Sequence, residues 1–301
     1  MVLLPDNTSS DIIDLHAHTT ESDGTLSPAE LVELAVTTGL SALAVTDHDT
    51  FSGFEQALPV AKAAGLELVR GIELNSRLIL ETGEVRYAHL LAYFPIEDPS
   101  SEFTAWLGAE RKERRDRNRK LAENLQERGI QIDLSEVEAR GKSLAGRTHF
   151  AQVLVEKGYA RTFDDAFNRF IGENAPAYVE RQSPITQESI RLVRSGGGIP
   201  VIAHPVRLSL PRETEREILS GLRTAGLLGL EVYHSDHPPE LQAHYRQLAE
   251  ELDLLPTGGS DFHGAVKPDI RLGTGYHGNI RVPLEFLRAM RSFVTAKMSR
   301  V

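Results

Sequence analysis

No cysteine occurs among the 301 residues, which excludes disulfides, thiolate metal ligands and thiol redox chemistry. Any metal must therefore be held by nitrogen and oxygen donors, a set suited to Mn, Fe or Zn. Long apolar runs are also missing. None approaches the roughly 18 residues of a membrane span, and the opening Met-Val-Leu-Leu-Pro-Asp has no basic segment ahead of an apolar one. A cytoplasmic protein without a membrane partner is expected. Positive charge is in deficit: 33 Lys and Arg face 43 Asp and Glu, for a net charge of −10. That balance argues against a surface that grips long nucleic acid throughout, because phosphate neutralisation needs clustered cations. Divalent ions bound by some of those carboxylates would reverse the local sign, so net charge alone does not decide the substrate.

What the chain does have is a set of apolar runs that end in histidine or carboxylate. They are Asp14-Leu15-His16-Ala17-His18, Thr46-Asp47-His48-Asp49, Gly71-Ile72-Glu73, Ala88-His89, Ala203-His204-Pro205 and Ser260-Asp261-Phe262-His263. One ion takes about four to six donors, so this many donors implies more than one ion. On a strand, residues two apart share a face, which lets His16 and His18 reach one ion. Alone, a His-x-His pair reads as well as two surface histidines. Asp23 in a Ser-Asp-Gly turn and His48 between two aspartates tip the balance toward metal, with Asp47 or Asp49 as candidate partners that orient a ligating imidazole.

The stretches Ile12 to His16, Ala42 to Thr46, Leu66 to Glu73, Tyr87 to Phe94, Ile199 to His204, Leu228 to Tyr233 and Leu254 to Thr257 read as strands, with amphipathic helices between most of them. Ser27-Pro28-Ala29-Glu30 predicts a helix start and Gly39 its stop. Glu81 to Glu84 predicts a hairpin turn that makes Ile72 to Leu80 and Val85 to Phe94 antiparallel. Strand and helix units with ligands at the strand ends describe an α/β protein, a distorted (β/α)7 TIM-like barrel. Residues 11–96 and 184–301 are expected to form it, and 97–183, charged and helical, to form an insertion subdomain that caps the substrate phosphate. A final helix over Leu284 to Ala296 would close the wall. His234 and His237 match no ligand motif and are expected at the pocket rim. His244 and His277 read as surface or packing residues.

Asp-Leu-His-Ala-His-Thr, Ser-Asp-Gly, Thr-Asp-His-Asp, Gly-Ile-Glu, His-Leu-Leu-Ala-Tyr-Phe, Ala-His-Pro and Gly-Ser-Asp-Phe-His-Gly, in this order, resemble the motifs of the PHP (polymerase and histidinol phosphatase) family over residues 12–264. The resemblance implies a barrel holding three divalent ions, manganese first, with iron and zinc as alternatives. By motif, His16, His18, Glu73 and Asp261 would hold one ion. Glu73, His89 and His204 would hold a second, and Asp23, His48 and His263 a third. Glu73, His204 and Asp261 would then be the catalytic positions, with Asp23 and His48 also facing substrate.

Residues Arg111 to Lys120 carry seven Lys or Arg in ten. Such a run is usually a solvated face, but beside a metal cluster arginine suits bidentate phosphate contacts. Gly146-Arg147-Thr148-His149 offers another anion contact. The insertion and the segment Lys267 to Gly273 resemble the branch of the family with 3′,5′-nucleoside bisphosphate phosphatase and RNA-trimming exonuclease activities. That likeness implies that Arg114, Arg117 and Arg147 hold substrate phosphate. The expectation is a phosphoric monoester hydrolase that removes the 3′-phosphate of a small bisphosphorylated nucleotide by metal-hydroxide attack. A 5′→3′ exoribonuclease acting on short RNA is the alternative, and no obligate protein partner is expected. An amidohydrolase is disfavoured because no lysine stands in a ligand motif, and a non-catalytic sensor because the ligand set is complete.

Overall fold

The structure, a computed structural model, describes residues 12–141, 145–180 and 183–298. Residues 11 and 299–301 of the expected barrel segments, and 142–144 and 181–182 of the expected insertion, lie outside the described residues.

Strand β1 (Ile12–Asp14) leads into α1 (Pro28–Thr38), whose start follows from Ser27. Its hydroxyl accepts from the Glu30 amide while the Glu30 carboxylate accepts from the Ser27 amide, and Gly39 at φ 78° ends the helix. Next come β2 (Ala42–Val45), α2 (Ser52–Ala64) and the long pair β3 (Glu67–Ile79) and β4 (Val85–Phe94). These last two run antiparallel from Arg70 opposite Phe94 to Ile79 opposite Val85. The predicted turn joins them, with Gly83 at φ 83°. After the helices α3 (Ser101–Gln126), α4 (Leu134–Gly141), α5 (Arg147–Glu156), α6 (Phe163–Ala166) and α7 (Thr186–Ser195), the sheet resumes with β5 (Ile199–Ile202). It continues through α8 (Arg212–Thr224), β6 (Gly229–Tyr233), α9 (Pro239–Glu251) and β7 (Leu255–Gly258). The short strands β8 (Ile270–Arg271) and β9 (Gly275–Tyr276) pair with each other. Then β10 (Val282–Pro283) joins the main sheet and α10 (Leu284–Met298) packs outside it.

The main sheet has eight strands in the order β10-β1-β2-β3-β4-β5-β6-β7. The expectation of seven omitted β10. Two residues ending in proline are too short to show an alternating pattern, and proline suits an edge strand. The sheet curls until its ends meet: the Leu15 amide donates to the Gly258 carbonyl at 3.2 Å, and the Asp261 amide to the His16 carbonyl at 2.8 Å. This is a distorted TIM-like barrel. Its core has one cluster around Ile13, Leu91, Val201 and Met290 and another around Ile72, Leu90, Leu230 and Leu248.

Reversal of β4 has a functional result. Both hairpin strands run past the barrel rim, so Glu73 and His89 serve the site from mid-strand while the remaining ligand candidates follow strand ends. The helices after β4 have an apolar core of their own, including Leu121, Leu125, Phe150, Leu154 and Ile171. Helix α3 bridges the two bodies: Phe103 and Leu107 pack into the barrel, Leu121 and Leu125 into the helical core. It spans 26 residues, well beyond the basic run that the sequence brought to notice.

Where the barrel closes, the chain after β7 presses on His16. A Cβ built on Gly259 would stand 2.3 Å from the His16 amide nitrogen, an impossible approach that only backbone movement relieves. Gly259→Ala is expected to cost about 2–4 kcal/mol by urea denaturation. Gly221→Ala, a position in α8 with nothing within 4 Å of the added carbon, should be neutral or slightly stabilising.

Candidate metal centre

Glu73 lies at the centre, 1% exposed and fixed through its backbone: its amide donates to the Asp47 carbonyl and its carbonyl accepts from the Asp49 amide. Its two carboxylate oxygens face different histidines. Oε1 lies 2.8 Å from His89 Nδ1 and 3.0 Å from His204 Nε2. Oε2 lies 3.1 Å from His18 Nε2, 3.4 Å from His16 Nε2 and 3.4 Å from His48 Nδ1. Asp261 Oδ1 joins His16 and His18 at 3.5 and 3.4 Å. Asp23 is reached by His18 at 3.4 Å, His263 at 3.4 Å and His48 at 3.7 Å.

All nine sequence-predicted ligands thus converge on one region. Three groups have donor atoms mutually close enough for an ion: His16, His18, Glu73 and Asp261; His18, Asp23 and His48; and His48, Glu73 and His89. The first is the set that the motifs suggested. The others differ from it, with His18 beside Asp23 where His263 was expected, and His48 beside Glu73 and His89 where His204 was expected. Both omitted histidines still lie within 3.4 Å of a carboxylate of their expected group.

Two physical observations fit metal. Donors that share one ion at about 2.0–2.2 Å from it stand roughly 3.0–3.5 Å apart, and that is the spacing around Glu73. In addition, His16 Nε2, His18 Nε2 and His48 Nδ1 are buried without a hydrogen-bond partner, at a cost that coordination removes.

The surroundings hold these donors in place. Glu231, fully buried in β6, sits 2.8 Å from His16 Nδ1 and accepts the His204 backbone N–H at 2.6 Å. Burial opposes its charge, but His16 and then His234 and His204 bring its pKa down to about 2. The sequence reading missed Glu231, although a lone acid inside the apolar run Gly229 to Tyr233 was a visible signal. Asp47 accepts from the Thr19 amide, the Thr19 hydroxyl and the Ser22 hydroxyl, which ties down the loop beside His18. Asp14 accepts from the His16 amide beside it and, across the barrel seam, from the amides of Ser260 and Gly273 and the Ser260 hydroxyl. The second oxygen of Asp261 is held by Lys267 at 2.7 Å, the first residue of the segment noted above, and by Arg207 at 3.0 Å, which the sequence did not single out. His204 at φ 27°, Asp49 at φ 51° and Asp261 at φ 57° are non-glycine residues in the left-handed region, where strain persists only if the surroundings enforce it.

His234 and His237 are not at a rim. Both are fully buried beneath the site. His234 Nδ1 accepts the Asp236 amide and its Nε2 lies 3.4 Å from Asp261, while His237 Nδ1 donates to the Val232 carbonyl. Neither lines the cavity. His244, placed at the surface or in packing from the sequence, is partly buried and lies 2.6 Å from Glu215.

A cavity of about 300 Å³ opens on the centre, between barrel and helices, lined by Asp23, His48 and His89 together with Arg114, Arg117 and Arg147. Arg114 is 8% exposed and bonds Asp49 at 2.7 Å, and Asp49 also accepts from the Asn75 amide and side chain. From the remainder of the basic run, Arg115 and Arg119 point outward and pair with Glu138 and Asp116. His149 at the start of α5 accepts the Gly146 amide and lines the same cavity.

A barrel whose rim gathers buried imidazoles and carboxylates beside an arginine-lined cavity defines a class: hydrolases that work through bound metal on anionic substrates. The chain belongs to the PHP family, since the PHP domain model matches residues 14–174. It is 31% identical to a 5′-3′ exoribonuclease of Haemophilus influenzae over 83% of this chain and 89% of that protein. It is 28% identical to a 3′,5′-nucleoside bisphosphate phosphatase of Chromobacterium violaceum, over 83% of this chain and 87% of the relative. A solved structure from Bifidobacterium adolescentis, described as a metal-dependent phosphoesterase, superposes with TM-score 0.77 at 33% identity, covering 93% of this chain and 95% of the other. The protein is a metal-dependent phosphoesterase.

Metal-free protein carries a pH signature. Burial works against charge on His18, but Asp261, Glu73 and Asp23 outweigh it and raise its pKa from 6.5 to about 9. Burial dominates at His48 and His204 and lowers them to about 4 and about 3. Above 6.5 the folded state binds more protons than the unfolded one, so the His18 contribution is lost as pH rises through about 9. Below 6.5 the neutral His48 and His204 cost stability, because the unfolded chain takes up protons that they refuse. The melting temperature of chelator-treated protein should therefore peak near pH 6.5 and fall on both sides. Saturating Mn should remove the alkaline fall, since ligation needs the neutral imidazoles. A flat metal-free profile from pH 6.5 to 9 would contradict this charge assignment. In the same centre, Glu231→Gln is expected to weaken metal binding about 10- to 100-fold in chelator competition, because it unpins His16.

Proposed function

We infer that the enzyme removes the 3′-phosphate of a 3′,5′-nucleoside bisphosphate such as 3′-phosphoadenosine 5′-phosphate. The observation that carries this reading is one cavity lined both by Asp23, His48 and His89 of the donor cluster and by Arg114, Arg117 and Arg147. Metal-ligating groups and arginines that share one cavity suit a substrate with two phosphates. Residues 97–183 act as the cap that supplies the arginine pole, and a cytoplasmic location belongs to the same reading, since nucleotide substrates are made and kept there.

In this reading His16, His18, Glu73 and Asp261 hold one divalent ion, Glu73, His89 and His204 a second, and Asp23, His48 and His263 a third, with manganese favoured by the mixed nitrogen and oxygen donors. Such ions, when bound, supply Lewis-acid charge to phosphoryl oxygens and lower the pKa of water. The protein contributes position. Glu73 presents its two oxygens to separate sets of imidazoles, which fixes the spacing of the centre. Arg117 and Arg147 hold the remote phosphate, and their binding energy orients the scissile end. Arg114 does part of its work through Asp49.

The exoribonuclease reading shares this geometry, because a 5′-terminal nucleotide of RNA also presents one remote phosphate and one 3′-linked phosphate. It is favoured by the Haemophilus influenzae relative. Against it, the outward Arg115 and Arg119 are neutralised by neighbours, leaving α3 a poor track for a strand despite its length. Competition at two salt concentrations between adenosine 3′,5′-bisphosphate and a 5′-phosphorylated oligonucleotide tests the choice. The bisphosphate should win in kcat/KM. A clear oligonucleotide preference that falls steeply with salt would replace this reading with the exonuclease.

Arg117→Ala should lower kcat/KM on the bisphosphate by about ten- to a hundredfold while sparing p-nitrophenyl phosphate, which has no remote phosphate. Equal losses on both would place Arg117 at the reacting end instead. Arg114→Ala is the less clean variant, because it also strips Asp49 of a partner.

A further inference from the structure

The cavity lining also includes aromatic rings that neither ligand nor phosphate chemistry uses. Tyr87 stands 45% exposed on β4, opposite Arg77 on the neighbouring strand. Tyr178 follows the helical core and lies beside Tyr87, and burial together with that neighbour pushes its pKa up to about 12. Phe167 opens the short π-helix, Phe167–Ile171, that continues α6. All three line the cavity. The Arg147 guanidinium lies over two of these rings, 5.9 Å from the Phe167 centroid and 5.4 Å from that of Tyr178. A barrel strand and two segments of the cap have therefore converged to put aromatic faces beside an arginine pole.

A ring as exposed as Tyr87 contributes little to the core, and neither Tyr87 nor Tyr178 belongs to an apolar cluster of the described residues. A substrate with a flat, weakly polar π-system would give these faces a partner. A sugar bisphosphate would not.

We propose that Tyr87, Phe167 and Tyr178 form a stacking wall for the substrate's nucleobase, so that the enzyme selects nucleotides over sugar phosphates without reading which base is present. This rests on the bisphosphate reading above and sharpens it. Stacking accepts any base, because each has a π-face, and the larger purine ring gains more from it than a pyrimidine. The wall thus determines the class of substrate, while the metal centre and the arginines determine the chemistry.

The test compares phosphate release from adenosine 3′,5′-bisphosphate, cytidine 3′,5′-bisphosphate and base-free ribose 3,5-bisphosphate by the metal-loaded full chain, its Tyr178→Ala and Tyr178→Phe variants and, as an exposed strand position, Tyr87→Ala. The parent enzyme should favour adenosine over cytidine by less than about tenfold, and either over the base-free compound by about ten- to a hundredfold in kcat/KM. Both alanine variants should shrink the base-dependent ratio toward one, whereas Tyr178→Phe, which keeps the ring, should retain it. Ratios rather than rates are read, so a variant that merely loosens the cap lowers all three together and counts against the wall. Equal turnover of all three substrates by the parent enzyme would overturn the wall and leave the bisphosphate reading intact. Release from none of them would overturn both.

Discussion

A carboxylate buried among five imidazoles is the constraint around which the structure is arranged. Glu73 is all but sealed from solvent, and an ionised carboxylate there costs several kcal/mol unless charge or metal compensates it. In the metal-free protein, histidines supply the compensation. Burial pushes the Glu73 pKa up, but His48, His89 and His16 overcome it and hold it well below the ordinary carboxylate range. Divalent ions can take over that role with the protons released, so affinity and pH are coupled by construction.

Architecture follows from the need to bring those imidazoles to one point. Parallel strands alone would deliver ligands at their ends. The reversed β4 adds a donor from mid-strand, and the seam between β1 and β7 brings Asp261 against His16. Glu231 then links the two halves of the sheet, because one carboxylate meets both the His16 ring and the His204 backbone. The burial gradient points function outward. His16 and His18 are sealed, while the side chains of Asp23, His48 and His89 are 25%, 14% and 30% exposed and open to the cavity.

The barrel was legible because its strands are short apolar runs punctuated by glycine, and because ligand types recur where those runs end. Helix α1 was legible from Ser27, Pro28, Glu30 and Gly39, each of which makes the contact or turn expected of it. Long-range pairing was less visible. Val282 and Pro283 have no strand pattern, and His234 looked like a rim residue because nothing local shows that Asp261 and the β7 loop cover it. The basic run illustrates the same limit: a linear pattern of charge cannot distinguish Arg114, turned inward to Asp49, from Arg115, turned outward to Glu138. The aromatic lining was invisible for a related reason, since Tyr87 on the barrel hairpin lies 80 residues before Phe167 and 91 before Tyr178.

The central proposal is that the two oxygens of Glu73 serve different ions within a multinuclear centre. Anomalous diffraction at the Mn edge, from crystals of chelator-treated and Mn-reloaded protein, measures this directly. The account predicts three anomalous peaks per chain, two of them flanking the Glu73 carboxylate, one toward His16, His18 and Asp261 and the other toward His89 and His204. A single peak, or peaks that leave either oxygen of Glu73 uncoordinated, would contradict it.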